Sequence, residues 1–140
     1  MGILKKIFVR KISTLRQDIV TAKDWIALAL NSSNYSADFS LDSLKEIDRF
    51  FDEQNVPGGL LSKNGGQRIF ALGTYIGEVI INDVGGEWLT DDNDPNGEMN
   101  IAVKLNNGNI IWPVQKAMKR FLNGIEDSIY DYACLLKEVD

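Results

Sequence analysis

The sequence predicts an α+β domain in which helices flank a small antiparallel sheet of about three strands. Three observations carry that expectation. Apolar residues recur every three or four positions through long stretches before residue 82 and after residue 113, the spacing of one helix face. Between them the period shortens to two around Ile101, Val103 and Leu105, as in a half-buried strand. An Asn107-Gly108 pair follows, the strongest short signal for a hairpin. The order reads α-α-α-β-β-β-α-α across a single domain, 1–140, with 1–12 a flexible or interface-forming basic segment.

Each element has its own warrant. Leu4, Phe8, Ile12, Leu15, Ile19, Ala22, Ile26 and Ala29 line one face of a first helix, widened by Trp25 and broken by the turn formers of Asn31–Ser36. Ser40 is placed as the N-cap of the second helix, with Phe39 and Leu44 as a hydrophobic staple and Asp42 at the positive end of the dipole. Leu41, Leu44, Ile47 and Phe51 form its buried face, which leaves Asp48, Asp52 and Glu53 to solvent. A third helix runs from about Gln67 to Asn82, with Ile69, Leu72, Ile76, Val79 and Ile80 as its stripe. Gly73 and Gly77 leave a groove there for close approach of another element.

Glu87-Trp88-Leu89 supplies one strand. With Asn107-Gly108 as a two-residue loop, Leu105 pairs with Ile110 and Val103 with Trp112, so all four side chains share the core face. Pro113 suits the first turn of the next helix. Val114, Ala117, Met118, Phe121 and Leu122 form its apolar side, with Lys116, Lys119 and Arg120 outward. Asn123-Gly124 closes it, and a last helix carries Ile125, Ile129, Tyr132, Ala133 and Leu136.

Composition removes several function classes. The chain has 140 residues, enough to bury a core without disulfides or structural metal. It has no histidine and one cysteine, Cys134, so it lacks every His-containing triad, paired-thiol chemistry and the usual zinc ligands. Cytoplasm, a reducing compartment, is the expected location. The net charge of −5 is uneven: five of the 15 basic residues fall within 1–16, where there is no acid. The rest is strongly acidic, which disfavours nucleic acid and suits solubility or a basic protein partner. No stretch is apolar enough to span a membrane. The basic, apolar start points instead to packing on the domain or to a homodimer through the first helix.

Two local patterns invite chemistry. Asp92-Asn93-Asp94-Pro95-Asn96-Gly97 opens like an EF-hand calcium loop, with Asp92, Asp94, Asn96 and Glu98 as candidate metal ligands. Position twelve is Val103 rather than Glu, a strand is expected to follow, and Pro95 is foreign to such a loop. These departures favour an acidic, solvated connection, and neither metal nor cofactor is expected. Glu78 lies in the most apolar helix beside Tyr75, where a charge needs a partner; Arg120 or Lys119 is the expected one. Trp88, beside Gly85-Gly86, is a candidate anchor for a ligand or partner.

The segments Leu72-Gly73-Thr74-Tyr75-Ile76-Gly77-Glu78, Gly85-Gly86-Glu87-Trp88, Trp112-Pro113 and Lys119-Arg120, followed by Gly124 and Glu126, resemble a group of uncharacterised bacterial domains. The shared pattern, G-x-Y-x-G-E, then G-x-W, P and K-R, covers about Leu72 to Ala133. The resemblance implies a fold and no chemistry. It raises Glu78, Trp88, Pro113 and Arg120 as a shared site, or equally as a structural clamp of Glu78 to Arg120 over Trp88.

The functional expectation is a non-enzymatic protein-binding module with no catalytic residues, for example an acidic immunity protein facing a basic toxin. Its binding candidates are Tyr75, Glu78, Trp88 and Arg120. The alternative is a small-molecule or calcium-binding module using the 92–98 loop or a pocket near Glu78 and Trp88.

Overall fold

Thr14 decides where the first helix begins. Its hydroxyl accepts the Gln17 N–H at 3.2 Å, while the Gln17 side chain accepts the Thr14 N–H at 2.9 Å. This capping box satisfies two otherwise orphaned donors, and the extended backbone of Thr14 (φ −92°, ψ 161°) interrupts any helix arriving from upstream. The computed structural model describes residues 13–138. A single helix from Leu4 to Leu30 is thereby corrected: α1 spans Leu15–Ser32, and the part of that expectation falling on 1–12 lies outside the described residues.

The remaining elements are α2 (Ser43–Gln54), α3 (Gly65–Val84), β1 (Gly86–Leu89), the one-turn α4 (Gly97–Asn100), β2 (Ala102–Leu105), β3 (Ile110–Ile111), α5 (Pro113–Asn123) and α6 (Ile129–Glu138). Short 3₁₀ turns occupy Leu60–Ser62 and Gly124–Asp127. The sheet is antiparallel in the order β1-β2-β3. This is the expected α+β class and order, with α4 added between the first two strands.

The central helix is α3. Every residue from Ile69 to Gly77 is buried, the signature of a helix surrounded on all sides. Helices α1 and α5 pack on it from two directions, the sheet lies against it, and α2 packs on α6. The two glycines make these approaches possible. A Cβ on Gly73 would stand 2.6 Å from the Val114 Cα, and one on Gly77 would stand 2.6 Å from Cζ2 of Trp88. The groove read from the sequence is therefore filled by the start of α5 and by the β1 tryptophan.

The hairpin differs from its expected register by one residue. Val103 pairs with Ile111 and Lys104 with Ile110, because the loop holds three residues rather than two. The Gly108 N–H donates to the Leu105 carbonyl at 2.9 Å, and the Leu105 N–H donates to the Asn109 carbonyl at 2.8 Å. Gly108 sits at φ +92°, the left-handed residue that three-residue hairpins place before the returning strand. A slip of one residue exchanges the faces. Ile111 is buried, whereas Ile110 and Trp112 are 42% and 45% exposed, so the burial expected of Trp112 is overturned.

Other side chains also change sides. Trp25 does not widen the buried stripe of α1; with Val20 and Leu28 it faces out. Leu122 and Ile125 are exposed as well. Ser40 accepts the Ser43 N–H at 3.2 Å, as a cap should, although the regular helix starts only at Ser43. Phe39 uses its ring differently from a staple alone. It stacks on Tyr75 with centroids 4.6 Å apart and takes a left-handed backbone conformation, φ +62°.

Candidate functional site

The largest departure concerns Arg120, which reads as an outward charge and is 2% exposed. Its Nε donates to Asp48 Oδ1 at 2.8 Å, and its Nη2 donates to Asp52 Oδ1 at 2.6 Å and to the Asp48 carbonyl at 3.1 Å. Burial works against the cation, but the Asp52 and Asp48 carboxylates outweigh it and raise the guanidinium pKa above its ordinary value. Asp48, expected in solvent, is buried. Its carboxylate also accepts the Ser128 hydroxyl and the backbone N–H groups of Ile129 and Tyr130. It caps the start of α6 from another helix. The clamp of Glu78 to Arg120 over Trp88 does not form.

Glu78 and Trp88 do meet. The Trp88 indole N–H donates to Glu78 Oε2 at 3.3 Å while the ring covers Gly77. The Trp88 carbonyl accepts from Arg16 Nη2 at 2.8 Å. Tyr75 is buried elsewhere along the same helix: its hydroxyl accepts the Phe39 N–H at 3.0 Å and shares a hydrogen bond with Ser43 Oγ at 2.7 Å. Burial pushes its phenol pKa up. Of the four binding candidates, then, Glu78 and Trp88 form one pair, and Tyr75 and Arg120 serve two separate structural networks.

The 92–98 loop turns its oxygens onto its own chain. Asp94 Oδ1 accepts the Asn96 N–H at 2.8 Å and Oδ2 accepts from Asn100 Nδ2 at 2.9 Å. The Asn100 amide, then the Asn96 N–H, hold the Asp94 carboxyl below its ordinary pKa. Asp92 Oδ1 accepts the Leu15 N–H at 2.8 Å, tying the loop to the start of α1. Gly97 and Glu98 begin α4, so a helical turn, not the expected strand, follows directly. Among the described residues no group of three or more acids or thiols is arranged to hold a metal ion.

What the register slip exposes is a surface. On the core side, Trp88, Val103 and Ile111 form one cross-strand row. On the other side, Glu87, Lys104 and Ile110 form a second row, and Leu89 pairs with Ala102. Trp112, two residues beyond Ile110, falls on this outer side by strand alternation. Ile110 and Trp112 thus present large apolar surface to solvent beside the Glu87–Lys104 pair. The connection at that end of the sheet is acidic: between Leu89 and Ala102 the chain carries four carboxylates, Asp91, Asp92, Asp94 and Glu98, and no lysine or arginine. Exposed Asp91, Asp92 and Glu98 belong to this run. No protein-family model, curated protein or solved structure matches the chain.

Proposed function

We propose that the chain is a non-enzymatic protein-binding module, of the immunity or neutralising kind, that engages its partner through the outer face of its sheet. The observation that carries this reading is the outward placement of Ile110 on β3 and of Trp112 at the N-cap of α5. Large apolar side chains, tryptophan above all, are the usual anchors of protein interfaces, and a rigid element presents them at little entropic cost. Interior polar chemistry supports the same reading. Among the described residues every buried side-chain nitrogen or oxygen has a hydrogen-bond partner, so these groups serve the fold and recognition falls to the surface.

The test compares the tagged wild-type chain with Ile110→Thr/Trp112→Ala as bait in a native lysate of the source organism at low salt. A protein retained by the wild type and released by the double variant supports the reading. A control with Trp25→Ala/Leu28→Ala on α1 should retain it. Partners held equally by all three baits, or by none, would sink the proposal.

A further inference from the structure

The geometry points to the kind of partner segment that fits this face: a basic polypeptide segment with an apolar side, supplied by another protein. This inference rests on the reading of the outer sheet face as the docking surface and adds the chemistry of its occupant.

The face combines two properties. Its exposed apolar surface is Ile110 and Trp112 at the β3 edge; Ala102, paired with half-buried Leu89 on the same outer side, is already covered within the chain. Its border at the β1–β2 end is acidic. Leu89 leads directly into Thr90-Asp91-Asp92, and Glu98 on α4 leads back into Ala102, so the topology sets these carboxylates beside the Leu89–Ala102 pair. Within the face, Lys104 lies between Glu87 and Ile110 in one cross-strand row. Several fold contacts already employ the loop, yet they leave its charge in place: among the described residues the donors to Asp92 and Asp94 are neutral N–H groups. A carboxylate hydrogen-bonded by amides remains an anion.

An apolar floor with an anionic border and no basic counterpart along that loop selects against acidic segments. Like-charge juxtaposition is strongly unfavourable at an interface, whereas lysine or arginine at the border is drawn in from a distance and keeps its hydration. The aromatic floor adds a second reason for cations, since the exposed Trp112 ring face attracts them. A wholly apolar segment would leave the border unsatisfied, and a nucleic acid would meet the same repulsion as an acidic peptide.

Two short synthetic peptides test this, one alternating leucine with lysine and one alternating leucine with glutamate, titrated into the whole protein and followed by NMR. The lysine peptide is expected to shift the Trp112 indole N–H and the Ile110 methyls, and to bind at least about 10-fold more tightly than the glutamate peptide at low salt, with the gap closing as salt screens it. Glu87→Gln/Glu98→Gln, at two exposed positions, should narrow that gap, while Ile110→Thr/Trp112→Ala should weaken the lysine peptide overall. Equal binding of both peptides at Ile110 and Trp112 would overturn the basic-segment inference and leave the docking face standing. If neither peptide moves those signals, or the shifts appear at Val20, Trp25 and Leu28, the docking face itself falls.

Discussion

Arg120 and Asp48, 72 positions apart in the chain, are joined side chain to side chain at 2.8 Å in the interior. The pair ties α2 to α5, and the other carboxylate bonds of Asp48 tie both to the start of α6. This is a charge network at the junction of three helices, and its members are unequal. Arg120 is almost fully buried, whereas Asp52 is 55% exposed.

That inequality fixes the first prediction. Asp48→Ala removes the partner of a buried cation and leaves the Ile129 and Tyr130 N–H groups without acceptors, so we expect a loss of about 3–5 kcal/mol. Asp52→Ala breaks a bond at the rim, where solvent already screens the charge, and should cost no more than about 1 kcal/mol. Urea denaturation of the two variants decides it. Equal losses would mean the load is shared evenly.

The register of the hairpin yields a second. In the observed pairing Trp112 is half-exposed, so Trp112→Ala should cost about 1–2 kcal/mol. Were it in the core, as a two-residue loop would require, the same change would cost about 3–5 kcal/mol. Gly108→Ala, at φ +92°, should destabilise by about 1 kcal/mol for conformational reasons alone. Thermal unfolding of the two variants separates the registers.

How much was legible follows from how local each determinant is. The buried length of α3, the start of α5 at Pro113 and the strand at Trp88 are written in short-range pattern, and the structure follows them. Asn107-Gly108 announces a hairpin but fits loops of two or three residues, and only the packing of Ile111 chooses between them. Arg120 looks like one more outward charge because its partner lies on a distant helix, and no spacing rule links it to Asp48. The Thr14-x-x-Gln17 capping box is present in the sequence, yet the apolar period runs straight through it and masks the break. The sequence places Glu78 and Trp88 near one pocket but points to Arg120 or Lys119 as the partner of Glu78, and the Trp88 indole N–H takes that place instead. The outward turn of Ile110 and Trp112 depends on the register, and so could not be read before it.

The glycines of α3 make a third prediction with opposing terms. In an open helix Gly→Ala gains about 1 kcal/mol from propensity. At Gly73 the new methyl meets the Val114 backbone, which cannot rotate away, so Gly73→Ala should destabilise by about 1–3 kcal/mol. At Gly77 the obstacle is the Trp88 ring, which is a side chain and can be removed. Gly77→Ala should therefore be costly alone and much less so in a Trp88→Leu background. A double-mutant cycle measures the difference; additive effects would show that the ring is not the obstacle.

The last prediction concerns acid. Arg49 Nε donates to Glu46 Oε2 at 2.9 Å, and the Ser36 N–H donates to Glu46 Oε1 at 3.0 Å. The Arg49 side chain first, then the Ser36 N–H, lower the Glu46 carboxyl from 4.5 to about 2. A carboxyl whose pKa is lower in the folded chain than in the unfolded one stabilises the fold fully above the unfolded value, and that contribution is lost as pH falls through the folded value. The wild type should therefore lose this increment progressively between pH 4.5 and about 2. Arg49→Gln removes the main cause of the shift, so the stability gap between the two proteins should be constant above that window and shrink within it. Denaturation midpoints across the window test this, and a gap that stays unchanged down to pH 2 would remove Arg49 as the cause.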